Sequence, residues 1–294
     1  MEASLFTSVV LPALLALIML GMGLSLRIQD FARLASMPKP IFVGLVGQVV
    51  LLPLLAFAIA VFFSASPEIA IGLMILAACP GGTTSNLFAH IAKANLALSI
   101  SLTAITTVIC VFTTPFLIAF SIDYFIEGES PAFSLLETSL ALMLISLLPV
   151  LIGMLIKAKN NTLAERAEPI FRKLSVLFMI LIIIKISYDE SDSIIAAFPD
   201  MFILTIGLNL LATAMGLFLA RLFLLSNIDG ATLGIEIGTQ NATLAILIAI
   251  SLLDVPAYAL VPGVYGIAMY LGATLLVIRF KQKSRKEVKV DSLS

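Results

Sequence analysis

The chain has 294 residues, of which 61% are hydrophobic and only 12% are charged, and its mean hydropathy is +1.14. This composition excludes a water-soluble domain, because too little polar surface is available to face water. The formal net charge of −1 argues against a basic surface for nucleic acid, and two cysteines with one histidine are too few for a zinc or haem site.

Nine apolar segments, separated by short polar stretches, follow one another along the chain. A hydrocarbon core of about 30 Å requires about 20 apolar residues in helical form. The first segment follows Glu2 and is too long for the hydrophobic region of a signal peptide, so we interpret it as a permanent helix. The sequence therefore predicts an all-α polytopic membrane protein with nine transmembrane helices, near residues 5–26, 40–63, 69–92, 96–121, 133–156, 173–188, 198–224, 230–252 and 257–280.

The charged residues predict how these helices are oriented. Apart from Lys185, every Lys and Arg falls in alternate loops or in the carboxy-terminal tail, whereas the intervening loops carry acids such as Glu68, Asp123 and Asp254. Since cytoplasmic loops carry the excess of Lys and Arg, we expect the N-terminus outside and the C-terminus in the cytoplasm. The short loops and the lack of a targeting segment favour a bacterial plasma membrane.

Two of the predicted helices contain residues that interrupt an apolar helix. The first interruption reads Cys79-Pro80-Gly81-Gly82-Thr83-Thr84-Ser85-Asn86, and the second reads Glu236-Ile237-Gly238-Thr239-Gln240-Asn241-Ala242-Thr243. Irregular backbone at membrane depth is tolerated only where it is buried in protein or lines a wet cavity. Taken singly, the first could be a simple kink and Glu236 a protonated, hydrogen-bonded packing residue, although a charged side chain there needs compensation.

The positions of the two interruptions predict an internal repeat. Each lies in the penultimate helix of its half of the chain, and Asn86 and Asn241 are 155 residues apart. Helices 1–4 would match helices 6–9 and lie upside down relative to them, with helix 5 unmatched. This inverted 4 + 5 arrangement, with discontinuous helices crossing at the membrane midplane, is typical of secondary transporters. We expect one transporter domain over 1–294, with repeats near 1–125 and 130–281 and a cytoplasmic tail near 282–294.

These motifs resemble a known family of transporters. The two interrupted segments are similar to the helix-crossing motifs of the bile acid:sodium symporter family, and the similarity covers essentially the whole chain. Three further features also resemble that family: Gly21-Met22-Gly23-Leu24-Ser25-Leu26, Gln48, and Val261-Pro262-Gly263. The resemblance implies a nine-helix member that lacks the additional first helix of some bacterial relatives.

The resemblance implies two sodium sites beside the crossing. The first would use side-chain oxygens of Ser85, Asn86, Ser99, Thr103 and Glu236. The second would use Gln48, Gln240 and Glu236 with the backbone carbonyls of Ile237 and Thr239. A hard cation prefers such oxygen ligands, and Ser99 and Thr103 lie on one helix face. Alternatively, these two hydroxyls bond only to carbonyls of their own helix.

The resemblance also implies a substrate site at the crossing, formed by the backbone with Thr83, Thr84 and Asn241. Many bacterial relatives have a Trp-His pair in the last helix, where this chain has Met269-Tyr270, so Tyr270 is the candidate replacement. The substrate would be a small organic anion, whether bile-acid-like, a 2-oxo acid or pantoate-like. Sodium is the expected coupling ion, with no other cofactor.

The implied function is sodium-coupled symport of an organic anion by alternating access. Two sodium ions entering with one monoanion would carry one net positive charge inward. A proton-coupled carrier that uses Glu236 as the titrating group and a non-transporting membrane receptor are the alternatives. An enzyme is not expected, because no nucleophile with a base and no set of metal ligands converges in the sequence.

Overall fold

A computed structural model describes residues 11–126, 135–189 and 191–291, and within these ranges every regular element is a helix. The all-α prediction is therefore confirmed for the described residues. In chain order the helices are α1 (Leu11–Gly23), α2 (Ile28–Ser36), α3 (Pro38–Leu45), α4 (Leu52–Phe62), α5 (Pro67–Ala78), α6 (Thr83–Ile91), α7 (Leu96–Phe125), α8 (Leu135–Leu142), α9 (Leu148–Lys159), α10 (Asn161–Asp189), α11 (Ser191–Leu222), α12 (Asn227–Gly238), α13 (Ala242–Leu247) and α14 (Leu260–Asp291).

Several helical segments are long and apolar enough to cross a bilayer, so the chain is a polytopic membrane protein. Five such segments lie in the described part of the chain: Pro38–Phe62, Leu96–Phe125, Leu136–Lys159, Phe198–Leu222 and Pro256–Phe280. A sixth is added if α1 and α2, which are bent by 55° at their junction, count as one span.

In two of these segments the helix has wider turns just before a proline. The π-helical stretch Val46–Leu51 joins α3 to α4 just before Pro53, and the stretch Met143–Leu147 joins α8 to α9 just before Pro149. Proline has no N–H and clashes with the carbonyl four residues earlier, which lies inside each stretch, so a wider turn relieves the clash. The first stretch carries Gln48 and buries it, with its side chain 2% exposed.

Both predicted interruptions are present, but they are shorter than the motifs that identified them. Residues 79–82 separate α5 from α6, so Thr83–Asn86 already form the first turn of α6. Residues 239–241 separate α12 from α13, so Glu236 lies in the last turn of α12. Thr and Ser are compatible with a first helical turn, which is why sequence composition overestimated the breaks.

The order of elements around each interruption occurs twice. Helices α5 and α12 both have 12 residues, and α12 begins 160 residues after α5. Each follows a residue with positive φ, Ser64 at 48° and Leu224 at 53°. The 155-residue correspondence between Asn86 and Asn241 is therefore wrong, because Asn241 caps the start of α13 whereas Asn86 lies one turn inside α6.

Helix α10 starts much earlier than the predicted segment 173–188. It begins at Asn161, and only Asn160 separates it from α9, so most of the expected basic loop is helical. The residues there include strong helix formers such as Ala164 and Glu165, and Glu168 pairs with Arg172 one turn later. The polarity of these residues led to the incorrect prediction of a loop. Likewise, α14 runs through the predicted tail to Asp291.

Glycines bring α1 into close contact with α9 and α10. A Cβ on Gly21 would collide with Phe171 of α10, and one on Gly23 would collide with the carbonyl of Val150 in α9. On the opposite side, a Cβ on Gly153 would lie 2.8 Å from the Leu24 nitrogen. Small residues allow this approach in membranes, where van der Waals packing drives helix association.

This packing predicts a difference between two glycine substitutions. Gly153→Ala should destabilise the protein by about 1–3 kcal/mol, because the added methyl group has no room between α9 and α1. Gly207→Ala should leave stability unchanged or raise it slightly, because nothing lies within 4 Å of the added atom and alanine favours a helix. Thermal unfolding of both purified variants in detergent measures this. Equal melting temperatures would contradict the close packing.

Candidate functional site

The two interruptions pair their backbones with each other. Asn241 donates its backbone N–H to the Pro80 carbonyl at 3.0 Å, and Gly82 donates its N–H to the Thr239 carbonyl at 3.4 Å. Backbone groups released from a helix at membrane depth need such partners, because an unpaired buried group costs several kcal/mol. The pairing holds the ends of α5, α6, α12 and α13 together at one place, and the predicted site residues surround it.

Side chains of neighbouring helices cap the last carbonyls of α5 and α12. The Thr114 hydroxyl of α7 donates to the Ala78 carbonyl at 2.7 Å. The Gly238 carbonyl accepts from the Asn209 amide at 2.7 Å and from the Tyr265 hydroxyl at 2.9 Å. Sequence reasoning missed these residues. A buried amide in the apolar 198–224 segment, like Gln48 in its own segment, was the available signal for Asn209.

Glu236 is the buried carboxylate beside this junction, and its side chain is 1% exposed. Ser99 donates to Oε2 at 2.7 Å, and the Thr103 hydroxyl donates to Oε1. None of the ion pairs among the described residues includes Glu236. The Ser85 hydroxyl also lies beside this carboxylate. Neutral hydroxyl groups stabilise a carboxylate only in part, so its charge needs a bound cation or a proton.

The predicted residues of the first site contact one another. The Ser99 oxygen lies 2.7 Å from Glu236 Oε2 and 2.8 Å from Asn86 Oδ1, although it has a single proton to donate. Three oxygens thus converge on one hydrogen, and a cation would satisfy the remaining lone pairs. Ser85 is fully buried on the adjacent turn, where its hydroxyl donates to the Gly82 carbonyl at 2.7 Å.

The alternative for Ser99 and Thr103 was that their hydroxyls bond only to carbonyls of their own helix. Neighbouring hydroxyls on α7 do bond in this way. Thr106 and Ser101 donate to carbonyls of α7, with Thr106 at 2.8 Å from the Leu102 oxygen. The Thr103 hydroxyl donates to the Ser99 carbonyl at 3.1 Å and also to Glu236. Among the described residues, the Ser99 hydroxyl bonds to Asn86 and Glu236 and to no carbonyl of its own helix. The two predicted hydroxyls therefore differ from other hydroxyls on the same helix.

The residues predicted for the second site form a short chain of amides. Gln48 donates to Gln240 Oε1 at 2.6 Å, and Gln240 donates to the Ile237 carbonyl at 2.7 Å. The other oxygen of this group, Gln48 Oε1, is buried without a hydrogen-bond partner among the described residues, and so is Thr239 Oγ1. Buried acceptors without donors fit a site for a small cation. The Thr239 side chain, as distinct from its carbonyl, was not predicted.

Glycine is needed where the first interruption passes the carboxylate. A Cβ on Gly81 would lie 2.6 Å from Glu236 Oε1, whereas the nearest atom to a Cβ on Gly82 is 3.3 Å away. The first contact is too short for any real side-chain carbon, so only glycine lets Glu236 lie against the backbone of the break. The sequence motif identified both glycines without distinguishing them.

A cavity opens beside the junction, and we call it the inner cavity. All of the predicted substrate residues line it: Thr83, Thr84, Asn241 and Tyr270, together with Met269. Tyr270 is stacked on Phe88 with 5.6 Å between ring centroids. Glu168 and Arg172 of α10 also line the cavity, although the sequence placed both in a loop.

A known protein family matches more than half of the chain. The matched residues are 12–197, and the family is the sodium bile acid symporter family. The chain belongs to this family. The family predicted from the two interrupted motifs is therefore confirmed. Members of the sodium bile acid symporter family are sodium-coupled transporters rather than enzymes.

Three relatives illustrate the range of the sodium bile acid symporter family. The chain is 27% identical over 287 residues to an uncharacterized sodium-dependent transporter, YocS, of Bacillus subtilis, covering 97% of this chain and 87% of that one. It is 30% identical to the ileal sodium/bile acid cotransporter of Homo sapiens, covering 82% and 69%. It is 30% identical to BASS1, a probable sodium/metabolite cotransporter, chloroplastic, of Arabidopsis thaliana, covering 80% of this chain but 57% of the relative.

The contact between Gly81 and Glu236 predicts a selective effect of a methyl group. Gly81→Ala should lower stability by about 1–3 kcal/mol, because the carboxylate must leave its bonds to Ser99 and Thr103. Gly82→Ala should have a smaller effect, because the added carbon would lie 3.3 Å from the Gln240 carbonyl oxygen and would not contact the carboxylate. Thermal unfolding of the two purified variants compares them, and a Gly81→Ala protein as stable as wild type would contradict the described position of Glu236.

Proposed function

We propose that this protein is a symporter that couples the entry of sodium to the entry of an organic anion. The observation that carries the proposal is Glu236, a buried carboxylate without a basic partner among the described residues, surrounded by neutral oxygens where two interrupted helices meet. Sodium has the charge and the preference for oxygen that this group requires. The names of the relatives, sodium/bile acid and sodium/metabolite cotransporters, agree with this chemistry.

The first sodium ion would bind the predicted set of Ser85, Asn86, Ser99, Thr103 and Glu236. The convergence of three oxygens on the single Ser99 proton supports this assignment, because a cation would coordinate the lone pairs that now compete. Glu236 supplies the charge, and the amide and hydroxyl oxygens complete the coordination shell. These five side chains offer oxygen ligands, the kind that hard cations prefer in proteins.

The second sodium ion would bind Gln48, Gln240, Glu236 and the carbonyls of Ile237 and Thr239. The unpartnered Gln48 Oε1 and the short chain from Gln48 to Ile237 support this assignment. The amide orientations follow from hydrogen bonding and can reverse when an ion arrives. Thr239 Oγ1 is an additional candidate ligand. Sharing Glu236 between both ions would let one carboxylate serve two cations.

The proposed membrane topology has nine crossings in an inverted 4 + 5 repeat. The five long segments supply five crossings, and the predicted segment 5–26, of which α1 is the described part, would supply a sixth. Helix α10 supplies a seventh, and the interrupted pairs α5–α6 and α12–α13 supply the last two. The pairing of the two interruptions would then lie at the midplane, with the N-terminus outside, the C-terminus in the cytoplasm and the repeats near 1–125 and 130–281.

The organic anion would bind in the inner cavity beside the two ions. Thr83 and Thr84 offer hydroxyl donors, Asn241 an amide, and Tyr270 a hydroxyl in place of the missing Trp-His pair. The candidates remain a bile-acid-like anion, a 2-oxo acid and a pantoate-like hydroxy acid. The cargo lies next to both sodium sites, so electrostatic attraction would couple their binding.

The proposed mechanism is alternating access driven by both gradients. Two sodium ions and one monoanion carry one net charge inward, and the membrane potential contributes about 2.3 kcal/mol per charge per 100 mV. The interrupted helices with α7 and α14 would form the moving core. The glycine contacts of α1 with α9 and α10 support a rigid opposing group of helices.

Transport by Glu236→Gln tests the proposal and the proton-coupled alternative. In proteoliposomes, wild-type uptake of a labelled carboxylate should stop when choline replaces sodium at fixed pH. The Glu236→Gln variant should lose sodium-stimulated uptake, because a neutral amide cannot balance two cations, while remaining inserted in the membrane. Glu68→Gln, which removes an exposed carboxylate outside both cavities, is the matched control. Uptake that persists in choline and follows the proton gradient would contradict sodium coupling.

A further inference from the structure

An ion pair on α10 separates the inner cavity from a second cavity. Glu168 and Arg172 lie one helical turn apart, with 3.7 Å between a guanidinium nitrogen and a carboxylate oxygen. They line the inner cavity and also a second, outer cavity, whose other lining residues include Ser25, Lys157 and Glu165. Thr83 is likewise shared by both cavities. The pair therefore stands where a solute would pass between them.

Among the described residues that line the inner cavity, Arg172 is the one cationic side chain. The two sodium sites supply positive charge on the side of Glu236, but the α10 side of the cavity has only this guanidinium. An anion leaving water needs partners for its own charge, because burying an unpaired charge is unfavourable. The planar guanidinium matches a carboxylate better than any other side chain does, since it can donate two parallel hydrogen bonds.

The present bond between Arg172 and Glu168 is weak enough to be exchanged. Its distance of 3.7 Å exceeds hydrogen-bond length, and the Arg172 and Glu168 side chains are 41% and 20% exposed. Partly exposed pairs of this kind contribute little to helix stability. When another carboxylate pairs with Arg172, Glu168 still lines the outer cavity. Lys157 lines the same cavity, so a second cation is present there for Glu168.

We propose that Arg172 binds the carboxylate of the transported anion, and that Glu168 is the resident counter-ion that this carboxylate displaces. The inference rests on the proposed sodium-coupled transport and names its substrate class, small organic carboxylates. Glu236 with two sodium ions has one net positive charge, and Arg172 released from Glu168 adds a second one in the inner cavity. The cavity is therefore positively charged where the carboxylate would bind.

The packing of α1 against α10 keeps this arginine in place. Gly21 contacts Phe171, the residue before Arg172, so α10 cannot move relative to α1 without breaking that contact. Phe171 and Gly21 both line the inner cavity. The Gly21-Met22-Gly23 motif, identified from sequence only as a family feature, thereby acquires a role in positioning the anion-binding helix.

Ligand-induced thermal stabilisation of the purified full-length protein tests this inference. The probes are the carboxylates pantoate, pyruvate and cholate, each titrated with and without sodium. At least one should stabilise the wild type in sodium. Arg172→Gln should weaken its binding about tenfold to a hundredfold, as expected for the loss of a charged hydrogen-bond partner. Arg172→Lys should lie between the two, because it keeps the charge without the paired donors.

Two further variants separate a binding role from a structural one. Glu168→Gln should bind the same probe more tightly than wild type, since the competing counter-ion is gone, and this result does not depend on the Arg172 variants folding. Arg166→Gln removes an equal charge from α10 at an exposed position outside both cavities and should bind as wild type. Stabilisation by sodium alone should be unchanged in every variant.

The outcomes distinguish this inference from the proposed function. Unchanged probe binding in Arg172→Gln, or a wild type that sodium stabilises but none of the three carboxylates does, would overturn the assignment of Arg172 while leaving sodium coupling intact. A wild type that sodium does not stabilise would contradict the proposed function itself, and this inference with it.

Discussion

A carboxylate enclosed by protein at the meeting point of two interrupted helices is the constraint on which the structure depends. Glu236 is 1% exposed, and its described partners are the hydroxyls of Ser85, Ser99 and Thr103 rather than a basic side chain. Charge without compensation is strongly unfavourable in such a place. Gly81 leaves room for the carboxylate, and α7 presents the two hydroxyls one helical turn apart. A cation that enters and leaves would change the free energy of this region more than any neutral ligand could.

The interruptions themselves are made stable by partners that the rest of the fold supplies. Backbone groups of residues 80, 82, 239 and 241 pair across the junction, and Thr114, Asn209 and Tyr265 satisfy the carbonyls at which α5 and α12 end. Irregular backbone therefore survives in an apolar environment because most of its hydrogen bonds are made. Four buried side-chain oxygens have no partner among the described residues: those of Gln48 and Thr239 lie at the predicted second ion site, and those of Thr213 and Ser251 are not among its predicted ligands. Buried acceptors without donors at that site are what a small cation requires.

The sequence predicted the chemistry of the site better than its surroundings. Polar and helix-breaking residues inside apolar segments are conspicuous, so the interruptions, Glu236 and Gln48 could be identified, and their similarity to one family supplied the remaining ligands. Arg172 could not be found in this way, because a polar stretch before an apolar one has the same composition whether it is a loop or the first turns of α10. The role of Asn209 depends on a contact with Gly238, 29 residues away, which no local pattern reveals. The 160-residue offset was missed because the two copies share the length of α5 and α12 and a preceding residue with positive φ rather than a residue pattern.

Direct binding of radioactive sodium to the purified protein tests the central claim without a transport assay or an organic anion. The account predicts saturable binding of about two ions per chain to the wild type, as expected for two oxygen-ligand sites. It also predicts a sodium affinity reduced at least about tenfold in Thr103→Val, which loses a bond to Glu236. Thr106→Val, an equally buried substitution three residues away on α7 whose hydroxyl bonds only to carbonyls of its own helix, should bind as wild type. A wild type without saturable sodium binding, or equal affinities in the two variants, would contradict it.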